Sequence, residues 1–126
     1  MSERFNDLIG VPFEYGGRGP DKFDCYGLLR HVYAQDGIDL PDYLSPSDGA
    51  RITALMMGEL RLWEQIETPE VGCALLIRVP GNMHCGYYLG GDWFLHTWRG
   101  SGGVVKERLS EWKHRVIGFY RYVGQR

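Results

Sequence analysis

The hydrophobic period changes once along this chain, near Pro69, and that change limits the fold more than any other feature. Before it, apolar residues recur at helical spacing. Leu28, Leu29, Val32 and Tyr33 follow Cys25, and Ile52, Leu55, Met56, Leu60 and Trp63 follow Asp48. After it the pattern is β-like: Val71 to Val79, then Met83 to Leu89 and Asp92 to Trp98 around Gly90-Gly91, a strand from Val104-Val105, and a closing strand from Val116 to Val123. Leu109 to Lys113 reads as a short helix between the last two strands. Helices first and antiparallel strands after them indicate an α+β fold.

The N-terminal part is punctuated by turns. Asn6 to Ile9 reads as one helical turn ended by Gly10 and Pro12, and Phe13-Glu14-Tyr15 as a short extended piece. Gly16 to Asp21 is a Gly-rich loop without the Lys-Ser/Thr that a phosphate-binding loop requires. Asp24 is a helix N-cap by type, and Gly37 ends the helix that starts at Cys25. Ile38 to Ser47 is a Pro-containing connection before the second helical pattern, Asp48 to Trp63, whose Met56-Met57 pair reads as core filling.

With 126 residues the chain is expected to be one domain with one core. A net charge of -2 gives no reason to expect a nucleic-acid or membrane-surface partner. No apolar run approaches the roughly 18 residues of a membrane span. Met1 to Asp7 carries no signal-peptide core, so synthesis in the cytoplasm is expected. Three cysteines, Cys25, Cys73 and Cys85, do not make a disulfide framework. No cofactor is expected.

Cys25 is the first candidate for chemistry. A thiol at a helix N-terminus feels the positive end of the helix dipole and nearby unpaired N–H groups, which favour the thiolate. The same N–H groups can hold an oxyanion. A free cysteine can equally be a small buried apolar residue. A nucleophilic thiol needs a base, and the base needs an orienting group. Of the four histidines, His31 lies mid-helix and His114 beside Lys113, both read as surface residues, while His84 and His96 stand on the two arms of the hairpin.

Hairpin geometry decides whether those two meet. A two-residue Gly90-Gly91 turn sets His84 against Thr97 and sends the two histidines to opposite faces. A three-residue loop, or a bulge of equal effect, returns them to one face, either directly opposed or as diagonal neighbours with Gly86 opposite His96. That face would also carry Phe94 and Trp98, and Gly86 would leave room for a helix terminus. The rival use of Cys73, His84, Cys85 and His96 is a zinc site, but no Cys-x-x-Cys or His-x-x-x-His spacing occurs, so no metal is expected. For Cys73 and Cys85 core filling is the stronger reading. No carboxylate pair is singled out for glycosidic chemistry.

Taken together, Gly10 to Gly17 (Gly-Val-Pro-Phe-Glu-Tyr-Gly-Gly) and Phe23-Asp24-Cys25-Tyr26-Gly27-Leu28 resemble the active-site segment of the NlpC-type, papain-like cell-wall cysteine peptidases. Pro69 to Ile77, Met83 to Gly90 and Phe94-Leu95-His96 resemble that family's later strands, in its order and spacing. The variant Phe-Asp-Cys-Tyr-Gly-Leu-Leu-Arg and the ending Val116 to Tyr122 look most like phage-tail members. The resemblance implies N-terminal helices, one carrying Cys25, packed on a five- to six-stranded antiparallel sheet. It implies cleavage of peptidoglycan stem peptides, typically between D-γ-glutamyl and a diamino acid, by Cys25 as nucleophile, His84 as base and His96 as orienting group. Asp24, Tyr15, Tyr26 and Trp98 are the expected substrate contacts, Asp24 toward an ammonium group. Peptidoglycan peptide and phage tail-tip proteins are the expected partners of a chain that is monomeric in isolation, and a virion tail or the cell wall its destination. Two departures stand out: Phe13 and Tyr26 occupy positions where members usually carry Tyr and Ser. They keep open a binding or tail-assembly module without turnover, and an amidase or acyltransferase on the same core.

Overall fold

In the computed structural model, residues 5–41, 62–80 and 82–124 are described. A 3-10 turn (Asn6–Leu8) leads through the Gly-rich loop to helix α1 (Cys25–Gln35). The rest is one sheet: β1 (Trp63–Ile66), β2 (Ala74–Val79), β3 (Asn82–Gly90), β4 (Trp93–His96), β5 (Val105–Arg108) and β6 (Val116–Tyr122). A single turn of helix, α2 (Leu109–Trp112), and a 3-10 turn (Lys113–Arg115) join the last two strands. The strand order is β1-β6-β2-β3-β4-β5, and every pairing is antiparallel.

Both ends of α1 follow from its residues. Asp24 sits in extended backbone and its carboxylate accepts the Gly27 N–H at 2.6 Å, a side-chain N-cap. At the other end Gly37 takes a φ of 80°. Its N–H donates to Ala34, and that of Ile38 donates to Tyr33, each at 3.0 Å. That pair of bonds is a Schellman motif, and its left-handed residue is where glycine costs least.

The sheet is buried on two faces. Leu28, Leu29, Val32 and Tyr33 of α1 share a core with Ala74, Leu76, Cys85, Tyr87 and Leu95. The alternate residues Leu75, Ile77 and Phe94 pack with Leu109 of α2 and with Trp98 and Trp112 on the other side. Period-two alternation therefore sends Cys85 toward α1 and His84 toward the second face.

Two expectations change, and the hairpin condition is met by one of its two allowed routes. Trp63, read as the end of a helix, lies in edge strand β1 opposite Tyr122, its ring 5.9 Å from Tyr33 and 5.5 Å from Tyr122. Burial against these rings outweighs the local helical spacing. Positions 42–61, which hold the rest of that pattern and most of the Pro-containing connection, lie outside the described residues. Gly86 does not admit a helix: a Cβ there would meet Phe94 Cδ2 and the Leu95 carbonyl at 3.2 Å and His96 Cβ at 3.4 Å. Its missing side chain makes room for His96 and Phe94. The hairpin uses neither plain loop. Gly91 and Asp92, with φ of 60° and 74°, form a two-residue turn, and the register slips between Tyr88 and Gly90. Two positive φ values are what a type I′ turn demands. The slip is the bulge that returns both histidines to one face.

The Gly-rich loop wraps the head of α1. Gly17 O accepts the Asp24 N–H at 3.0 Å, and Gly16 N donates to the Asp24 carboxylate at 3.0 Å. The loop is so close that a Cβ on Gly27 would stand 2.0 Å from Gly17 O. In an open helix Gly→Ala gains about 1 kcal/mol. Here Gly27→Ala is expected instead to cost about 1–3 kcal/mol by overpacking, read as a lower midpoint in urea or thermal unfolding. A melting point at or above wild type would show that the loop gives way.

Candidate active site

A cleft of about 530 Å³ opens where α1 begins over the start of β3. Phe13, Tyr15, Met83, Trp98 and Arg99 line it together with Cys25 and His84. A roomier groove, about 900 Å³, lies along Ile66, Tyr88 and Phe119, but it holds neither cysteine nor histidine.

Behind the cleft runs a chain of polar groups, buried at the two histidines and part-exposed at Glu107. His84 Nε2 and His96 Nδ1 are 2.7 Å apart. His96 Nε2 is 2.8 Å from Glu107 Oε2, and the Trp112 indole N–H donates to Glu107 Oε1 at 3.1 Å. Phe94 lies tilted against the His96 ring with centroids 4.4 Å apart, and Trp112 meets it edge-on at 5.0 Å. His84 is 2% exposed and His96 fully buried, so neither imidazole exchanges freely with water.

Electrostatics favour a thiolate. The Cys85 thiol, as a hydrogen-bond donor to sulfur, is the largest influence holding the Cys25 thiol well below its ordinary value of 9.0; burial opposes it, and the nearby His84 adds to the lowering. Cys85 is pushed up in turn by that same bond. For Cys73, in the other core, burial is the largest influence and its thiol rises to about 11. Burial also lowers His84, against the pull of Cys25. It lowers His96 too, against Glu107. Glu107 is held below the usual carboxylate range by its bond to His96, with help from Trp112.

The structure thus brings Cys25, His84 and His96 together, and sets Tyr15 and Trp98 at the cleft. It does not bring Asp24 or Tyr26 there. The Asp24 side chain is 1% exposed. Its oxygens are taken by Gly27, Gly16 and Arg18, whose Nη1 lies 2.8 and 2.7 Å from the two oxygens. The Tyr26 hydroxyl donates to Pro41 O at 2.6 Å. His31 tilts against Phe23 with ring centroids 5.0 Å apart, and His114 is exposed. Among the described residues no three metal-binding side chains converge.

Two contributors escaped the sequence reading. Cys85 fills the core as expected, and it also bears on Cys25. Its position beside His84, on the opposite strand face, was a usable signal. Glu107 had none beyond a place in a strand, since only the β4–β5 register, Phe94 with Glu107 and His96 with Val105, puts it diagonal to His96.

A thiol at the head of a helix, laid on an antiparallel sheet that carries an imidazole pair, defines a papain-like α+β domain. The chain belongs to the NlpC/P60 family, whose pattern is matched by residues 10–121. It is 31% identical over 119 residues to a probable peptidoglycan endopeptidase, LytE of Bacillus subtilis, covering 91% of this chain and 31% of that protein. It is 32% identical over 118 residues to the gamma-DL-glutamyl hydrolase of the same bacterium, covering 90% of this chain and 27% of that one. The chain therefore spans about a third or less of these curated relatives. The fold is also that of the P60 domain of a Mycobacterium avium subspecies paratuberculosis antigen, with TM-score 0.67, 21% identity, and 98% and 92% of the two chains covered.

Alkylation against pH checks the thiol. Cys25 reactivity toward iodoacetamide should rise through a midpoint well below 9.0, because the folded thiolate is favoured. Cys85→Ala removes the donor and should move the midpoint up, while Cys85→Ser keeps a donor and should stay nearer wild type. Equal midpoints in all three would exclude Cys85 from the effect.

Proposed function

We propose that this domain hydrolyses amide bonds in peptidoglycan stem peptides, with Cys25 as nucleophile, His84 as general base and His96 as the group that orients His84. The observation that carries the reading is Cys25 at the head of α1 facing buried His84, which His96 backs at 2.7 Å. His84 takes the thiol proton, and the Cys25 sulfur attacks the amide carbonyl carbon. The carbonyl π electrons move to oxygen, where first-turn N–H groups of α1 not engaged by Asp24 stabilise them. Collapse expels the amine, which takes its proton from His84. Water, deprotonated by His84, then attacks the thioester and releases the acid. Family membership supports hydrolysis, and so do relatives named as a peptidoglycan endopeptidase and a gamma-DL-glutamyl hydrolase.

The bond between D-γ-glutamyl and a diamino acid is the finer proposal, supported by the resemblance of the three motifs. Tyr15 and Trp98, which line the cleft, are the proposed substrate contacts. Asp24 is retained as the helix cap that sets Cys25 in position. Phe13 lines the same cleft without a hydroxyl, its ring 5.0 Å from that of Tyr15, so Tyr15 supplies the phenol on that wall. The Phe-Asp-Cys-Tyr-Gly-Leu-Leu-Arg variant supports a phage-tail or prophage setting, with tail-tip proteins as partners. The missing Phe13 hydroxyl favours one rival, a cell-wall-binding or tail-assembly module that kept the fold and lost turnover.

Purified protein incubated with peptidoglycan should release new amino ends detectable by mass spectrometry, on diamino acids if the finer proposal holds. Cys25→Ala should abolish them. Undiminished release by the variant rules out the nucleophile. A wild type that binds peptidoglycan, releases nothing and alkylates only near an ordinary thiol pKa establishes the rival.

A further inference from the structure

Counting protons along the chain from Glu107 to His84 gives Glu107 a role beyond holding a ring. Two contacts, Glu107 Oε2 to His96 Nε2 at 2.8 Å and His96 Nδ1 to His84 Nε2 at 2.7 Å, need one proton each. An ionised carboxylate has only lone pairs, so the first proton must sit on His96 Nε2. A neutral imidazole carries one ring proton, which leaves His96 Nδ1 bare. The second proton must then sit on His84 Nε2, which leaves His84 Nδ1 bare. His84 Nδ1 is buried and has no hydrogen-bond partner among the described residues. Cys25 is the acid whose charge bears on His84. A bare Nδ1 is what a base needs in order to take the thiol proton.

The alternative arrangement makes the same imidazole–imidazole bond in reverse: Nδ1–H of His96 donates to His84 Nε2, and the His84 proton moves to Nδ1. His84 then presents an N–H where the base lone pair is required. Between the two histidines nothing separates these states, since each has one donor and one acceptor in the shared contact. Glu107 breaks the tie. Trp112 holds Oε1 through its indole N–H, which leaves Oε2 for His96.

Resting on the reading of Cys25 as nucleophile and His84 as base, we propose that Glu107 is the positioning residue that selects the base-competent tautomer of His84, relayed through His96. No covalent step is added. When His84 accepts the thiol proton it becomes an imidazolium 2.7 Å from neutral His96, and the Glu107 charge offsets it across that ring. The titratable and charged groups bearing on this pair are Cys25 from α1, Cys85 from β3, His96 from β4 and Glu107 from β5. Arg99 lies at the cleft wall.

The test separates this relay from the reading beneath it. Nitrogen-15 histidine spectra of the whole chain, assigned with His84→Gln and His96→Gln, report tautomers whether or not the protein turns over. In wild type, neutral His84 is expected as the Nε2–H form. Glu107→Gln, isosteric but able to donate as well as accept, should populate the Nδ1–H form, Glu107→Ala more so, and Glu107→Asp should restore the wild-type pattern at least in part. In peptidoglycan digestion the Gln and Ala variants should lose about tenfold or more in kcat with KM little changed, as expected when a base is held in the wrong tautomer. Trp112→Phe, which leaves the carboxylate charge in place, guards against misfolding of the others and should shift the tautomer less than Glu107→Gln. A wild-type His84 found in the Nδ1–H form, or an Nε2–H form unchanged in Glu107→Ala, overturns the proposal. Full release of amino ends by Cys25→Ala overturns the reading beneath it instead.

Discussion

Asp24 carries a carboxylate that three partners share, and the position of Cys25 depends on that sharing. One oxygen caps α1 through Gly27, the other holds the Gly-rich loop through Gly16, and Arg18 bridges both. The cap satisfies one of the orphan donors at the head of the helix, while the guanidinium compensates the carboxylate charge that would otherwise stand next to a developing thiolate. The loop thus acts as packing. Its glycines let backbone approach backbone, as the 2.0 Å gap a Gly27 Cβ would face makes plain.

The second constraint is the two-faced sheet. Alternation along β3 gives Cys85 to the face that α1 covers and His84 to the face that carries Phe94, Trp98 and Trp112. Cys25 feels both because α1 starts where β3 starts. One neighbour is a thiol that stabilises negative sulfur, and the other is an imidazole that takes its proton. The aromatic side then keeps water from His96, the buried end of its contact with the part-exposed Glu107.

Legibility in the sequence followed the range of the interactions. The cap at Asp24, the stop at Gly37 and the strand series after Pro69 are local features, and the residues alone carried them. So did Cys25, His84 and His96, because helix position and the ordered motifs restrict them. Trp63 misled because its spacing fits a helix, while its burial against Tyr33 and Tyr122 comes from residues distant in the chain. The family resemblance makes Asp24 and Tyr26, the neighbours of Cys25 in the chain, expected substrate contacts. Neighbours in a helix point different ways, and both side chains turn inward to partners of their own.

The sequence by itself determined an α+β chain, a cysteine at a helix start, and two histidines that meet only if the hairpin gains or shifts a residue. Tertiary structure decided how that condition is met: a bulge beside a turn at Gly91 and Asp92, tied down where Asp92 accepts the Ser110 N–H at 3.0 Å and its hydroxyl at 2.8 Å. It also decided that Glu107 stands behind His96 and Cys85 beside Cys25. Both depend on register across strands, and register is fixed by burial of whole faces, which no single stretch of sequence contains.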